Sequence, residues 1–279
     1  MADKTYIRPP AAAGVNSFYP DDPDELRQQV NELLERAPIK KVQGEIKGIV
    51  APHAGYIYSG YTAAVAYKLL KGKTFETVAI ISPSHRDRFE GISIFDGKGY
   101  RTPLGIVEVD TDLREELLNV DGIIVQSNLG HRSEHALEVQ LPFLQTVLKD
   151  FRILPIVMGE QDQEYCEVLG EALSKVLQNK NALIVASSDL SHYHDYATAT
   201  KLDSLVVDSV GKLDFHGLLN KLEKQQCEAC GGGPIAAMLI AAIKLGANRA
   251  EVVHYCNSGD VTGDRSWVVG YLSAVVWKQ

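Results

Sequence analysis

The chain has 279 residues, 45% of them hydrophobic, with 28 Lys+Arg against 36 Asp+Glu and a formal net charge of -8. That is enough apolar material for a large α/β core without staples, and no basic run or aromatic-interleaved basic stripe is present, which argues against nucleic acid as a partner. Four cysteines are too few for a disulfide framework, Met1-Ala2-Asp3-Lys4 lacks a signal-peptide pattern, and no segment reaches the roughly 18 apolar residues that span a bilayer, so a cytoplasmic protein with no membrane partner is expected.

Asp21-Asp22-Pro23-Asp24-Glu25 precedes Leu26, Val30, Leu33 and Leu34, placing acidic residues and a proline in the first turn of an amphipathic helix. An apolar run at 46–51 reads as a strand, Gly60 to Leu70 as a helix, and Thr77 to Ile81 and Gly91 to Phe95 as strands. Leu137, Leu141, Leu144 and Leu148 are spaced four, three and four apart, which predicts a helix over 134–149 with Ser133 as its cap. Phe151 to Val157 and Ala182 to Ala186 follow as strands, with helices at 163–177 and 195–210. The end of the chain reads as a Gly-rich turn, a helix from about Pro234 to Leu245, and strands at 251–256 and 267–277. This alternation favours a mostly parallel or mixed sheet covered on both faces. No linker or repeat divides the chain, so a single domain over 1–279 is expected.

Three of the eight histidines stand just past apolar runs: His53 after Ala51-Pro52, His85 after Ser82-Pro83-Ser84, and His192 after Ser187-Ser188-Asp189-Leu190-Ser191. Ligands bind at the carboxyl ends of strands in open α/β sheets, so these imidazoles are candidates for one crevice. Neutral imidazole is the commonest metal ligand; the same pattern also describes hydrogen-bonded loop histidines with no metal. Asp189 and His192 share a loop in which a carboxylate can orient an imidazole for proton transfer, or simply cap the next turn.

Cys227-Glu228-Ala229-Cys230 has no second Cys-x-x-Cys pair to make a zinc site. Cys230 stands at the approach to the helix near Pro234, where a helix N-terminus stabilises thiolate. Beside His53 and His85 it would complete a His/His/Cys site; the alternative is a small buried thiol. His131-Arg132-Ser133-Glu134-His135 matches the H-x-x-E-H pattern of inverted zinc peptidases, but the turn signal Asn128-Leu129-Gly130 puts His131 outside the helix and breaks the spacing. His135 and Glu138 are then expected to line or support the cleft.

Taken in order, Ala51-Pro52-His53-Ala54-Gly55-Tyr56, Ser82-Pro83-Ser84-His85, Arg101-Thr102-Pro103-Leu104, Glu134-His135 with Glu138, Ser187-Ser188-Asp189 with His192, Cys230-Gly231 with Pro234, and Asn257-Ser258-Gly259-Asp260 resemble the Memo family. That family is named for the human mediator of ErbB-driven cell motility, and its prokaryotic members are called protein B of the AmmeMemoRadiSam system. The resemblance implies an α/β/α sandwich like that of class III, LigB-type extradiol dioxygenases. It implies His53, His85 and Cys230 as metal ligands, His192 as the acid–base residue with Asp189 beside it, and Tyr58 and Phe18 on the cleft wall. Fe(II) is the implied metal, with Cu or Zn as alternatives. Two functional classes follow: a metal-dependent enzyme of redox or oxygen chemistry, or a non-catalytic module that holds a small molecule or peptide in the same cleft, linked to AmmeMemoRadiSam partner proteins. Thiolate in place of carboxylate argues against ordinary dioxygenase chemistry.

Overall fold

The computed structural model describes residues 5–15 and 17–279. Its first helix, α1 (Pro23–Arg36), forms where the pattern predicts it. Asp22 caps it by accepting from the amides of Asp24 and Glu25, and Leu26, Val30, Leu33 and Leu34 form the buried face. A short strand, β1 (Ile7–Arg8), precedes it. Then come β2 (Glu45–Ala51), α2 (Tyr56–Lys68), β3 (Thr77–Pro83), β4 (Ile92–Phe95), β5 (Gly99–Thr102), β6 (Gly105–Glu108), α3 (Thr111–Leu118) and β7 (Ile124–Ser127). A 3₁₀ turn (Glu138–Gln140) runs into α4 (Leu141–Val147), followed by β8 (Arg152–Met158), α5 (Gln163–Val176), β9 (Ala182–Ser187) and β10 (Asp189–His194). The chain closes with α6 (Tyr196–Gly211), α7 (Phe215–Glu223), α8 (Gly232–Lys244), β11 (Arg249–Asn257), α9 (Ser258–Thr262) and β12 (Val268–Lys278).

Nine strands form one mixed sheet in the order β10-β12-β2-β9-β3-β8-β4-β7, with β11 also on β12. Its centre, β2-β9-β3-β8, is parallel. Alternate residues of these strands enter opposite cores, as a period of two requires: Val78, Ile80, Leu183 and Val185 face α1, α2 and α4, while Ala79, Ile81, Ile184 and Ala186 face α5 and α8. The result is the expected α/β/α sandwich. A separate small sheet, β1-β5-β6, ties the N-terminal arm down through Ile7↔Gly99 and Arg8↔Tyr100.

Parallel pairing decides what can meet at the functional end. Ala51 is opposite Ser187, and Ile81 is opposite Ala186, so the segments after β2, β3 and β9 leave the sheet side by side. Among the described residues no helix is long and apolar enough to cross a membrane.

The chain departs from the sequence expectation in two places near this edge. Residues 134–137 are irregular and the helix begins only at Leu141, with Pro142 in its first turn. Proline suits a helix start but not an interior, and the Glu134 carboxylate captures the amides of His135 and Ala136 that a helix would otherwise use. The segment expected as a loop after Ser188 is the strand β10, irregularly paired with β12 from Asp189↔Tyr271 to His194↔Val268.

Candidate metal centre

Three histidines converge at this edge. His53, His85 and His135 each offer one ring nitrogen, and those atoms lie within 4.8 Å of one another. The ring centroids are 5.0–5.5 Å apart. His53 follows β2, His85 follows β3, and His135 comes from the irregular stretch that Glu134 holds open.

The surrounding hydrogen bonds fix how each ring points. Ser187 Oγ donates its one hydrogen to the Ala136 carbonyl at 2.6 Å and accepts from Gln140 Nε2 at 2.8 Å. Its remaining contact, with His53 Nδ1 at 2.9 Å, must therefore be accepted from a protonated Nδ1, which puts the His53 lone pair on Nε2. Gln140 is itself held by Tyr67 Oη, which donates to Oε1, and by the Pro52 carbonyl, which accepts from Nε2. His85 Nδ1 lies 3.0 Å from Glu134 Oε1. His135 Nδ1 lies 3.2 Å from the same oxygen, although it is not aligned with it and is left as a buried polar atom without a hydrogen bond. All three Nδ1 atoms thus face protein oxygens and Nε2 is the atom each ring has to offer. Carboxylate or hydroxyl partners behind the ring are the usual support of a metal-bound imidazole.

The electrostatics fit a cation. Burial, reinforced by the neighbouring His85, pushes His53 down to about 3, and burial followed by His53 does the same to His135, to about 3. Both rings are neutral and ready to bind as neutral ligands. Burial alone would raise Glu134, but the hydrogen bond and charge of His85 and the Ala136 amide outweigh it and hold the carboxyl at about 2. The buried Glu134 carboxylate has no arginine or lysine partner, only the imidazoles of His85 and His135. Three neutral nitrogen donors are a donor set that Fe(II), Zn(II) and Cu(II) all accept.

A profile described as Memo-like protein matches residues 8–275. The chain is 40% identical over 273 residues to a MEMO1 family protein of Methanosarcina barkeri, covering 97% of this chain and 100% of that protein. The chain belongs to the Memo family. It is likewise 40% identical over 270 residues to the MEMO1 family protein of Aquifex aeolicus, covering 96% of this chain and 98% of that one. A crystal structure of an uncharacterized Escherichia coli K12 protein superposes with a TM-score of 0.59 at 14% identity, covering 82% of this chain and 99% of that one, a likeness of fold.

In this Memo-family chain the expected His/His/Cys ligand set is corrected: the third donor beside His53 and His85 is His135, not Cys230. Cys230 stays close as a protonated thiol that donates to His53 Nε2 at 3.1 Å while its sulfur accepts from the Asp189 amide of β10 at 3.3 Å. Gly231 allows this approach, since a Cβ there would stand 2.3 Å from the Ser187 carbonyl. The expected thiolate is corrected too: burial, then the charge of Asp189, pushes the Cys230 thiol up, and these outweigh the helix terminus.

The remaining candidates divide. Phe18, Tyr58, His135, His192 and Asp189 all line a cleft of about 710 Å³ that opens from the three histidines, and Phe18 stacks on His135 with centroids 4.0 Å apart. Glu138 does not line it. This residue is fully buried and pairs with Arg8, while also accepting from Tyr19 Oη and the amides of Ala11 and Ala12. Asp189 was expected to orient His192, yet its Oδ1 accepts from the His53 amide and its Oδ2 stands 4.0 Å from His53 Nε2. His192 is held instead by the Leu190 carbonyl, which accepts from Nδ1 at 2.8 Å and so puts the ring's lone pair on Nε2. His131 spends both nitrogens on Tyr100 and Ser93, which disposes of the peptidase pattern.

Sequence reading missed His135 as a ligand, and missed Glu134 behind His85 and His135 and Ser187 with Gln140 behind His53. The one signal in the sequence was Pro142, which suits the first turn of a helix rather than its interior and so argues against a helix running through from 134.

Proposed function

We propose that this chain binds one divalent transition-metal ion on His53, His85 and His135 and acts on a small molecule held in the adjoining cleft, with Fe(II) the first ion to test and Zn(II) and Cu(II) next. The observation that carries this reading is the convergence of three imidazole nitrogens within 4.8 Å, each ring backed by a protein oxygen. When bound, the ion supplies Lewis acidity, polarising an oxygen of the bound molecule and lowering the pKa of its hydroxyl. The chain's own residues do the rest. Phe18 fixes the plane of His135 by stacking. His192, on the cleft wall with its lone pair on Nε2, takes the one proton of the polarised hydroxyl and returns it, and the buried Asp189 holds the His53 segment in place by accepting from its amide. Free cysteines, as at Cys166, Cys227, Cys230 and Cys256, suit the reducing cytoplasm in which such a site would work.

The test is metal analysis of protein purified without oxygen. Wild type should hold about one ion per chain, the His53→Ala, His85→Ala and His135→Ala variants should each lose it, and Cys230→Ser should keep it. Retention of metal by His135→Ala, together with its loss from Cys230→Ser, would overturn the assignment.

A further inference from the structure

The cleft wall carries one cation that is spoken for by nothing. Arg86, next to the ligand His85, lines the cleft, and among the described residues it makes no hydrogen bond, ion pair or ring contact. The two carboxylates on the same wall are already engaged. Asp189 accepts from the amide of His53, and Asp264 accepts from the amide and hydroxyl of Ser266. In a chain of net charge -8, the binding cleft therefore presents one guanidinium with no partner, beside two carboxylates held by backbone amides and a hydroxyl.

The same cleft has an exposed aromatic rim. Trp267 is 71% exposed, Tyr193 66% and Tyr58 41%, and all three line the same cleft. Tyr193 reaches its place at a cost, since its φ of 61° lies in the left-handed region that side chains other than glycine rarely occupy. The register of β10 on β12 shifts on either side of His192, which is what turns this ring outward beside the acid–base histidine. Strain kept at the mouth of a cleft, on a large apolar ring left in water, is a binding feature rather than a packing one.

We infer that the cleft selects an organic carboxylate with an apolar body: the carboxylate pairs with Arg86, the body lies against Tyr58, Tyr193 and Trp267, and a separate chelating group reaches the three histidines. The inference rests on the metal-site reading above. Its volume of about 710 Å³ suits a molecule of that size, and the planar guanidinium matches a carboxylate where an ammonium would give only a point charge.

The test compares 4-carboxybenzohydroxamate with its uncharged partner, 4-carbamoylbenzohydroxamate, on cobalt-loaded protein, following the cobalt absorption bands. Both chelate through the hydroxamate and differ only at the remote group. Wild type should bind the acid about tenfold more tightly than the amide, the size of one partly exposed charge-assisted hydrogen bond. Arg86→Gln should bring the ratio to near one with amide affinity unchanged, and Arg86→Lys should restore part of it. Equal affinities in wild type, or a preference that survives in Arg86→Gln, with cobalt uptake intact in both, overturns the role of Arg86 alone. Failure of wild type to take up cobalt would overturn the metal reading and this inference with it.

Discussion

Glu134 and Glu138 lie four residues apart, both are buried, and both hold backbone amides in an irregular stretch, yet they do opposite work. Glu138 meets a permanent cation, Arg8, whose other donors reach the His131 and Glu134 carbonyls. Its charge is cancelled within the protein, and the pair ties the N-terminal arm to the 3₁₀ turn before α4. Glu134 meets only His85 and His135, whose charge is optional. The difference teaches how a fold separates structure from function with one residue type. A carboxylate closed by arginine is finished, whereas one closed by imidazoles leaves a charge that a metal ion can complete.

Acid should distinguish the two regions most strongly. The ordinary histidine value is 6.5, while folded His53 and His135 stand at about 3. Between these values the unfolded chain binds more protons than the folded one, so metal-free stability is full above pH 6.5 and is lost as pH falls toward 3. The slope is about 1.4 kcal/mol per pH unit for each histidine. Glu134, at about 2 against an ordinary 4.5, adds a loss of the same sign below pH 4.5. Denaturant titrations of the metal-free protein from pH 7 to 4 check this, and His135→Gln should flatten the curve. A stability independent of pH across that window would mean that the rings are not held neutral.

Glu138→Gln comes next, because it leaves Arg8 buried without its counterion. The expected loss is about 3–5 kcal/mol at pH 7, read by denaturant unfolding, with metal content of the folded protein unchanged. If metal were lost along with stability, the two glutamates would not be separable in the way proposed.

Glu134→Gln should show the reverse pattern. Metal affinity should fall about 10–100-fold, measured by chelator competition, while the metal-free protein loses less stability than Glu138→Gln does. Smallest is Ser187→Ala, which removes the acceptor of His53 Nδ1 and frees the ring to change tautomer. Loss of one hydrogen bond of about 1 kcal/mol should weaken metal binding roughly fivefold, and an unchanged affinity would show that the ring is oriented by packing alone.

The sequence by itself determined the layers of this protein. Strand runs such as 77–81 and 182–186 are apolar throughout because both faces of the sheet are covered, and the histidines that follow strands, His53 and His85, were legible as candidates because strand ends are where an open α/β sheet presents its ligands. Regular spacing misled at 134–149: the leucine pattern is real and those side chains are buried, but Pro142 and the claim of Glu134 on two backbone amides delay the helix. The third ligand was decided by tertiary structure alone. Cys230 and His135 are each far from His53 and His85 along the chain, and both end within reach of them. Which one joins the cluster depends on where Glu134 turns its carboxylate and on how the β10 backbone holds the Cys230 thiol, and neither is encoded in spacing. The roles of Glu138, Ser187 and Arg86 were hidden for the same reason, since a side chain is structural, supporting or free only by virtue of partners brought from elsewhere in the fold.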